Sequence, residues 1–325
     1  MGLWQKLFGW LNPSAPTATH ADNATSPGPA TPVEPGFGTA HEPAFDPQAQ
    51  LDSPAAIPGA PVAPHLDAPA QPADAGDSNP QPDLFEAAAQ AEAARVAALP
   101  AVINDPALRD ALSVYAGMAW DRQIDFAETV GDRSWSADTS QGLIQFGDDL
   151  RFRMQVLGSY SFQSGTWQWI WANTQAEVQP AFTEVARQLL GFGNAQQLAL
   201  FTQPRSELRE QDLHTIGLIA AGADESAGYY LGNYGDGILL ALIDPAQGLP
   251  HAANSKPERV LSVVPQLISE FELNHRLLLQ HYLPAKGFAL EEGAAQITAT
   301  RGASSITAKF DEQGRLSGLT GNLKP

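Results

Sequence analysis

The sequence predicts an α+β fold, an antiparallel sheet built from hairpins and packed against several helices, preceded by a long disordered N-terminal tail. Three observations predict it. From Pro13 to Pro82 the chain is dominated by Pro, Ala, Gly, Ser, Thr and acids and contains no Lys or Arg. Beyond Asp83, segments with apolar residues at helical spacing give way to segments that alternate with period two. No strand-helix-strand unit recurs, which argues for hairpins and not for a parallel sheet.

The chain divides accordingly into residues 1–12, a short amphipathic helix; 13–82, a disordered Pro/Ala-rich acidic linker; 83–284, the α+β domain; and 285–325, a C-terminal β-hairpin extension. The linker cannot bury enough apolar surface to offset an ordering cost of roughly 1–2 kcal/mol per residue. In MGLWQKLFGWL, residues Leu3, Trp4, Leu7, Phe8 and Leu11 share a helical stripe that Asn12-Pro13 ends. Such a helix on a tether suits a membrane interface or a groove on a protein partner, although Lys6 is its one basic side chain. Gly2 lacks the Ser or Thr that myristoylation requires four residues on, since Lys6 stands there.

Asp83 to Ala98 reads as a helix ended by Pro100, and Asn104 or Asp105 caps a longer one that runs to Val130. From Trp135 to Asn173 the period becomes two. Leu143 to Phe146 ends at the turn Gly147-Asp148-Asp149; Phe152, Met154, Val156, Gly158, Tyr160 and Phe162 share one parity. After Gln163-Ser164-Gly165, Trp167, Trp169 and Trp171 form a ladder on one strand face. Short helices follow at Val178–Gly191, Ala195–Thr202 and Ser206–Ala221. Gly228–Tyr234 and Gly237–Ile243 pair through Gly235-Asp236, and Pro257 to Tyr282 forms one helix kinked at Pro265. Gln296–Thr300, Ile306–Phe310 and a last strand with Leu316 and Leu319 either extend the main sheet or form a smaller one.

Among 325 residues the formal charge is −18 and cysteine is absent. Clustered Lys and Arg for phosphate neutralisation are missing, which argues against nucleic acid as a partner. A disulfide framework is impossible, and no apolar run reaches the roughly 18 residues of a transmembrane helix. No uninterrupted apolar core with a small-residue cleavage site marks a secretory signal, so the expected location is cytoplasmic, at most peripheral to the inner membrane.

The stretch GSYSFQSGTWQWIWAN, Gly158 to Asn173, resembles the bacterial family of uncharacterised proteins DUF6882, whose hallmark is Gly-x-Tyr/Leu-Ser followed by Thr-Trp-x-Trp-x-Trp-Ala-Asn. The resemblance runs from about Asp105 to Ile243. It implies an α+β domain in bacteria, with no activity and no catalytic residues to carry over.

Candidate chemistry comes from three clusters. Tyr160, Trp167, Trp169, Trp171 and Asn173 read as a core wall capped by an asparagine, or alternatively as an aromatic ligand platform. Asp121, Asp125 and Glu128 share one helix face away from Arg122; this reads as a solvated acidic face, or as paired catalytic carboxylates. Glu272 and His275 form half of a bundle-type metal motif with no second copy, so no metal and no cofactor is expected. His275, and His214 beside Asp212 and Glu210, read as surface or capping histidines. The sequence therefore favours a non-enzymatic binding or adaptor module tethered through its N-terminal helix. The alternative is a hydrolase using Asp121 and Asp125 beside a tryptophan-lined cleft.

Overall fold

Asp105 caps the longest helix with its own side chain, which accepts the Ala107 N–H at 2.9 Å, and Pro106 fills the first helical position, where no N–H partner is needed. The structure, a computed structural model, describes residues 84–244, 249 and 257–324. The segments read as an N-terminal helix (1–12) and a linker (13–82) lie outside the described residues. The described helices are α1 (Leu84–Ala97), α2 (Pro106–Val130), α3 (Glu184–Gln196), α4 (Ala199–Thr202), α5 (Leu213–Ala223), α6 (Val260–Glu270) and α7 (His275–Ala285).

The strands are β1 (Trp135–Asp138), β2 (Leu143–Phe146), β3 (Leu150–Ser161), β4 (Thr166–Trp169), β5 (Arg205–Glu207), β6 (Gly228–Asn233) and β7 (Gly237–Ile243). Beyond them come β8 (Ala289–Glu292), β9 (Gln296–Arg301), β10 (Ser304–Phe310) and β11 (Leu316–Asn322). The first seven form one sheet, β1-β2-β3-β4-β5, with β7 on the free flank of β3 and β6 beyond it. The last four form a separate antiparallel meander. The fold is thus α+β with hairpin-built antiparallel sheets, and the C-terminal strands extend no other sheet.

Strand β3 does not keep one face throughout. Its register against β7 shifts between Val156 and Gly158, leaving Leu157 as the extra residue of a bulge. One inserted residue exchanges the faces of everything after it. Phe152, Met154 and Val156 therefore pack against Phe126, Val130, Phe146 and Tyr230, while Leu157 and Tyr160 join the helix-covered core on the other side. Phe162, expected to continue this series, lies past the strand and is 36% exposed.

Four helical readings change. Arg205–Glu207 is a strand and α5 begins only at Leu213, because Arg209 and Asp212 close a 3-10 turn in between. Pro180 initiates a 3-10 turn, so α3 starts at Glu184 rather than Val178 and runs on to Gln196. Only Ala199–Thr202 remains of the helix expected from Ala195. The long helix from Pro257 is a 3-10 turn followed by α6 and α7, separated where the Asn274 carboxamide accepts the Leu277 N–H at 3.1 Å and its own N–H donates to Ser113 Oγ at 2.9 Å. Pro265 lies inside α6 on its exposed side, where water can satisfy the carbonyl it frees.

The outer strand β6 is closed by a side chain. Gln123 on α2 donates its amide to the Tyr229 carbonyl at 3.1 Å and accepts the Tyr229 N–H at 2.9 Å, acting as a one-residue strand partner. Gly228 leaves room for it, since a Cβ there would stand 2.9 Å from Gln123 Oε1.

Candidate functional site

Asp121, Asp125 and Glu128 stand one helical turn apart on α2, and the structure gathers all three around Arg259, which enters from the turn preceding α6. Arg259 Nη1 donates to Asp121 Oδ1 at 3.0 Å, while Nη2 lies 2.5 Å from Asp125 Oδ1 and 3.8 Å from Glu128 Oε2. On its other oxygen Asp121 accepts the Lys286 ammonium at 2.6 Å and the Tyr282 hydroxyl at 2.9 Å. The side chains of Asp121 and Lys286 are 0% and 1% exposed. The expectation of a solvated acidic face is therefore corrected. Glu128 alone is exposed; Asp121 and Asp125 are buried, because α6 and α7 cover this stretch of α2 and bring two cations with them.

Burial acts to raise the Asp121 carboxyl, but Lys286, Arg259 and Tyr282 outweigh it and hold the group below the ordinary carboxylate range. The Tyr282 hydroxyl is pushed well up by burial and by the neighbouring Asp121 charge. Chemically, this is a buried, ionised carboxylate with both oxygens held by donors. Its partners sit just before α6, on α7 and just past α7. Those of the tryptophan strand are elsewhere: Trp169 Nε1 donates to the Leu200 carbonyl at 2.9 Å, and the Tyr160 hydroxyl to that of Leu208 at 3.2 Å.

Trp167 and Trp169 are fully buried and meet edge to face at 5.3 Å. Trp171 departs from the expected ladder. The strand ends at Trp169, and Trp171 sits on the 3-10 turn Ile170–Ala172, partly buried and stacked on Trp169 at 6.4 Å. Asn173 closes that turn, its side-chain oxygen accepting the Gln175 N–H at 3.1 Å. The structure thus brings Tyr160, Trp167 and Trp169 together in the core and leaves Asn173 at the surface end of the same segment.

Because β4 alternates, Gln168 projects from the face opposite Trp167 and Trp169, beside its cross-strand partner Ser159. There a depression of about 180 Å³ opens, floored by Val156, Ser159, Gln168 and Leu239. Ile170, Asn173 and Glu177 from the loop after β4 wall it on one side, and Thr139 from the β1–β2 turn also lines it. Gln168 is held in place from outside, its Oε1 accepting Arg205 Nη2 at 3.0 Å.

The histidine readings also change. His214 is 1% exposed, not superficial: α5 is buried on nearly every side, and Nδ1 meets the Tyr229 hydroxyl at 2.8 Å. Burial lowers its pKa to about 3, which keeps the ring neutral. His275 opens α7 instead of lying near a helix C-terminus, and its Nδ1 accepts the Leu316 N–H at 2.9 Å. Glu272 is turned toward Arg109 at 4.0 Å, so the two halves of the E-x-x-H spacing serve different partners.

Residues 106–245 match the model of a family of unknown function, DUF6882. The segment agrees with the resemblance carried by Gly158 to Asn173, and the DUF6882 match holds α2, the whole seven-stranded sheet and α3 to α5. Arg259, Tyr282 and Lys286 lie outside it, so the cations that neutralise Asp121 come from beyond the matched segment. No curated protein and no solved structure matches the chain.

Sequence reasoning missed Arg259, Tyr282 and Lys286 as partners of the carboxylates, and Gln168 and Glu177 as lining of the depression. One signal was available: Lys286 stands between Leu283-Pro284-Ala285 and Gly287-Phe288, an apolar setting in a chain poor in Lys. Gln168 was legible too, as the residue whose alternation opposes the tryptophans.

Proposed function

We propose that the protein is a non-enzymatic binding or adaptor module whose recognition surface is the depression on the β3-β4-β7 face, opposite the tryptophans. The observation that carries this reading is the convergence there of an apolar floor with the polar side chains of Ser159, Gln168, Asn173 and Glu177. Burial of Asp121 against three donor groups supports binding over hydrolysis, since both oxygens of that carboxylate already accept hydrogen bonds inside the core. We further propose that residues 1–12 supply a second contact, to a partner or a membrane surface, across the 13–82 linker, in a cytoplasmic setting. Among the described residues no helix is long and apolar enough to cross a membrane.

The test is affinity capture with three baits: the full-length chain, a chain starting at Asp83, and the full-length chain carrying Ala176→Arg, a substitution at a residue that also lines the depression and so fills it. Partners lost with Ala176→Arg assign recognition to the depression, and partners lost with the truncation assign it to the N-terminal segment. The same proteins captured at the same level by all three baits would refute both contacts.

A further inference from the structure

The size of the depression limits what it can hold. Pockets for whole small molecules run to roughly 300–1,000 Å³, and this one offers about 180 Å³. That is room for one side chain or a fragment of like size, below the range of drug-sized ligands and whole cofactors. Its floor is set mainly by Val156 and Leu239, with Ile170 at the wall, and Glu177 is the one charged residue among those that line it. Arg205, the nearby cation, does not line it and already donates to Gln168.

An apolar trough with a carboxylate at its rim matches a side chain that is aliphatic along its stem and cationic at its tip. The whole chain points the same way, because a formal charge of −18 draws basic partners and repels acidic ones.

We propose that the depression takes the side chain of a lysine or arginine presented by a partner polypeptide. The stem lies on Val156, Ile170 and Leu239, and the cationic head turns to Glu177, with the Asn173 and Ser159 oxygens as further acceptors. This inference rests on the reading of the depression as the recognition surface. Because one side chain supplies few atoms, the isolated contact is weak, and a partner gains affinity only by presenting it with the rest of its surface.

The experiment is a titration of the full-length protein, followed by amide chemical shifts in β3, β4 and β7. The probes are the acetyl-amide derivatives of lysine, of arginine and of uncharged norleucine. The expected result is saturable shifts at Ser159, Gln168 and Leu239 with a cationic probe at millimolar concentration, and weaker binding of norleucine. Glu177→Gln should weaken the cationic probe roughly threefold, the scale of one exposed ion pair, and Glu177→Asp should restore it. Glu177 is exposed in a loop, so neither variant threatens the fold. Norleucine binding as well as lysine, with no effect of Glu177→Gln, would overturn the basic-side-chain inference while leaving the recognition surface standing. No shift at these amides with any probe would overturn the surface itself.

Discussion

Tyr282 reaches Asp121 by lying along a stripe of α2 on which the residue one turn earlier is glycine. A Cβ at Gly117 would stand 2.6 Å from Tyr282 Cβ and Cγ. The same device recurs on α5: Gly217 leaves room for the ring of Tyr229, where a Cβ would meet ring carbons at 2.5 Å, and the Tyr229 hydroxyl meets His214, three residues back. In both places a helical glycine admits a tyrosine whose hydroxyl satisfies a buried polar side chain about one turn away.

Gly117→Ala should therefore destabilise the domain although alanine is the better helix former. The intrinsic gain is about 0.5–1 kcal/mol, whereas overpacking against the Cβ of a fixed neighbour costs about 1–3 kcal/mol. Urea denaturation checks this: the midpoint should fall with an unchanged slope. A midpoint that rises would mean that α7 can retreat from α2 and that the seat is not tight.

Removing both members of the buried Asp121–Lys286 pair should cost less than the sum of removing each alone. Asp121→Ala leaves an ammonium that is 1% exposed facing no carboxylate at that position, a loss of about 3–5 kcal/mol. Lys286→Met should cost less, because Arg259 and Tyr282 still hold Asp121. The double variant should then recover part of the sum, with a coupling energy of about 0.5–3 kcal/mol. Strict additivity in the equilibrium cycle would show that the two groups do not interact.

The asymmetry between these partners explains what was legible in the sequence. Elements whose periodicity is local, such as α2 from its Asp105 cap to Val130 and the β6–β7 hairpin around Gly235-Asp236, could be read from residues nearby in the chain. The fate of Asp121 could not, because it is decided by Arg259, Tyr282 and Lys286, more than 130 residues away. The bulge at Leu157 is invisible for another reason: an inserted residue leaves the parity of Phe152, Met154, Val156, Gly158 and Tyr160 intact while exchanging the face on which the last two lie. Asn274 was passed over because the apolar spacing of Phe271 and Leu278 continues through the break it creates.

Acid should destabilise the domain first through His214. Its folded pKa, lowered by burial to about 3, lies below the ordinary value of 6.5, so between these limits the unfolded chain binds a proton that the folded chain does not. Stability from this group is complete above pH 6.5 and declines as pH falls toward 3. Asp121, also depressed, adds its own loss only below its ordinary value of 3.8. Between pH 7 and pH 4 the histidine alone should remove about 3 kcal/mol. Urea titrations at constant ionic strength should show this difference shrinking in His214→Asn, whatever that variant costs at pH 7. An identical loss in both proteins would assign the acid sensitivity elsewhere.

Gln123→Leu should open the β6 edge. The substitution puts an apolar side chain of similar size at this position on α2 but strips the Tyr229 N–H and carbonyl of the partners they have at 2.9 and 3.1 Å. Each buried group left without a partner costs about 1–3 kcal/mol, so the variant should be measurably less stable than the parent. A strand edge with unpaired groups also invites another strand. Sedimentation velocity over a concentration series should accordingly show self-association in Gln123→Leu that grows with concentration beyond any shown by the parent. Stability lost without added association would mean that α2 still covers the edge sterically and that the carboxamide contributes hydrogen bonds alone; no change in either would mean that Gln123 does not close the sheet.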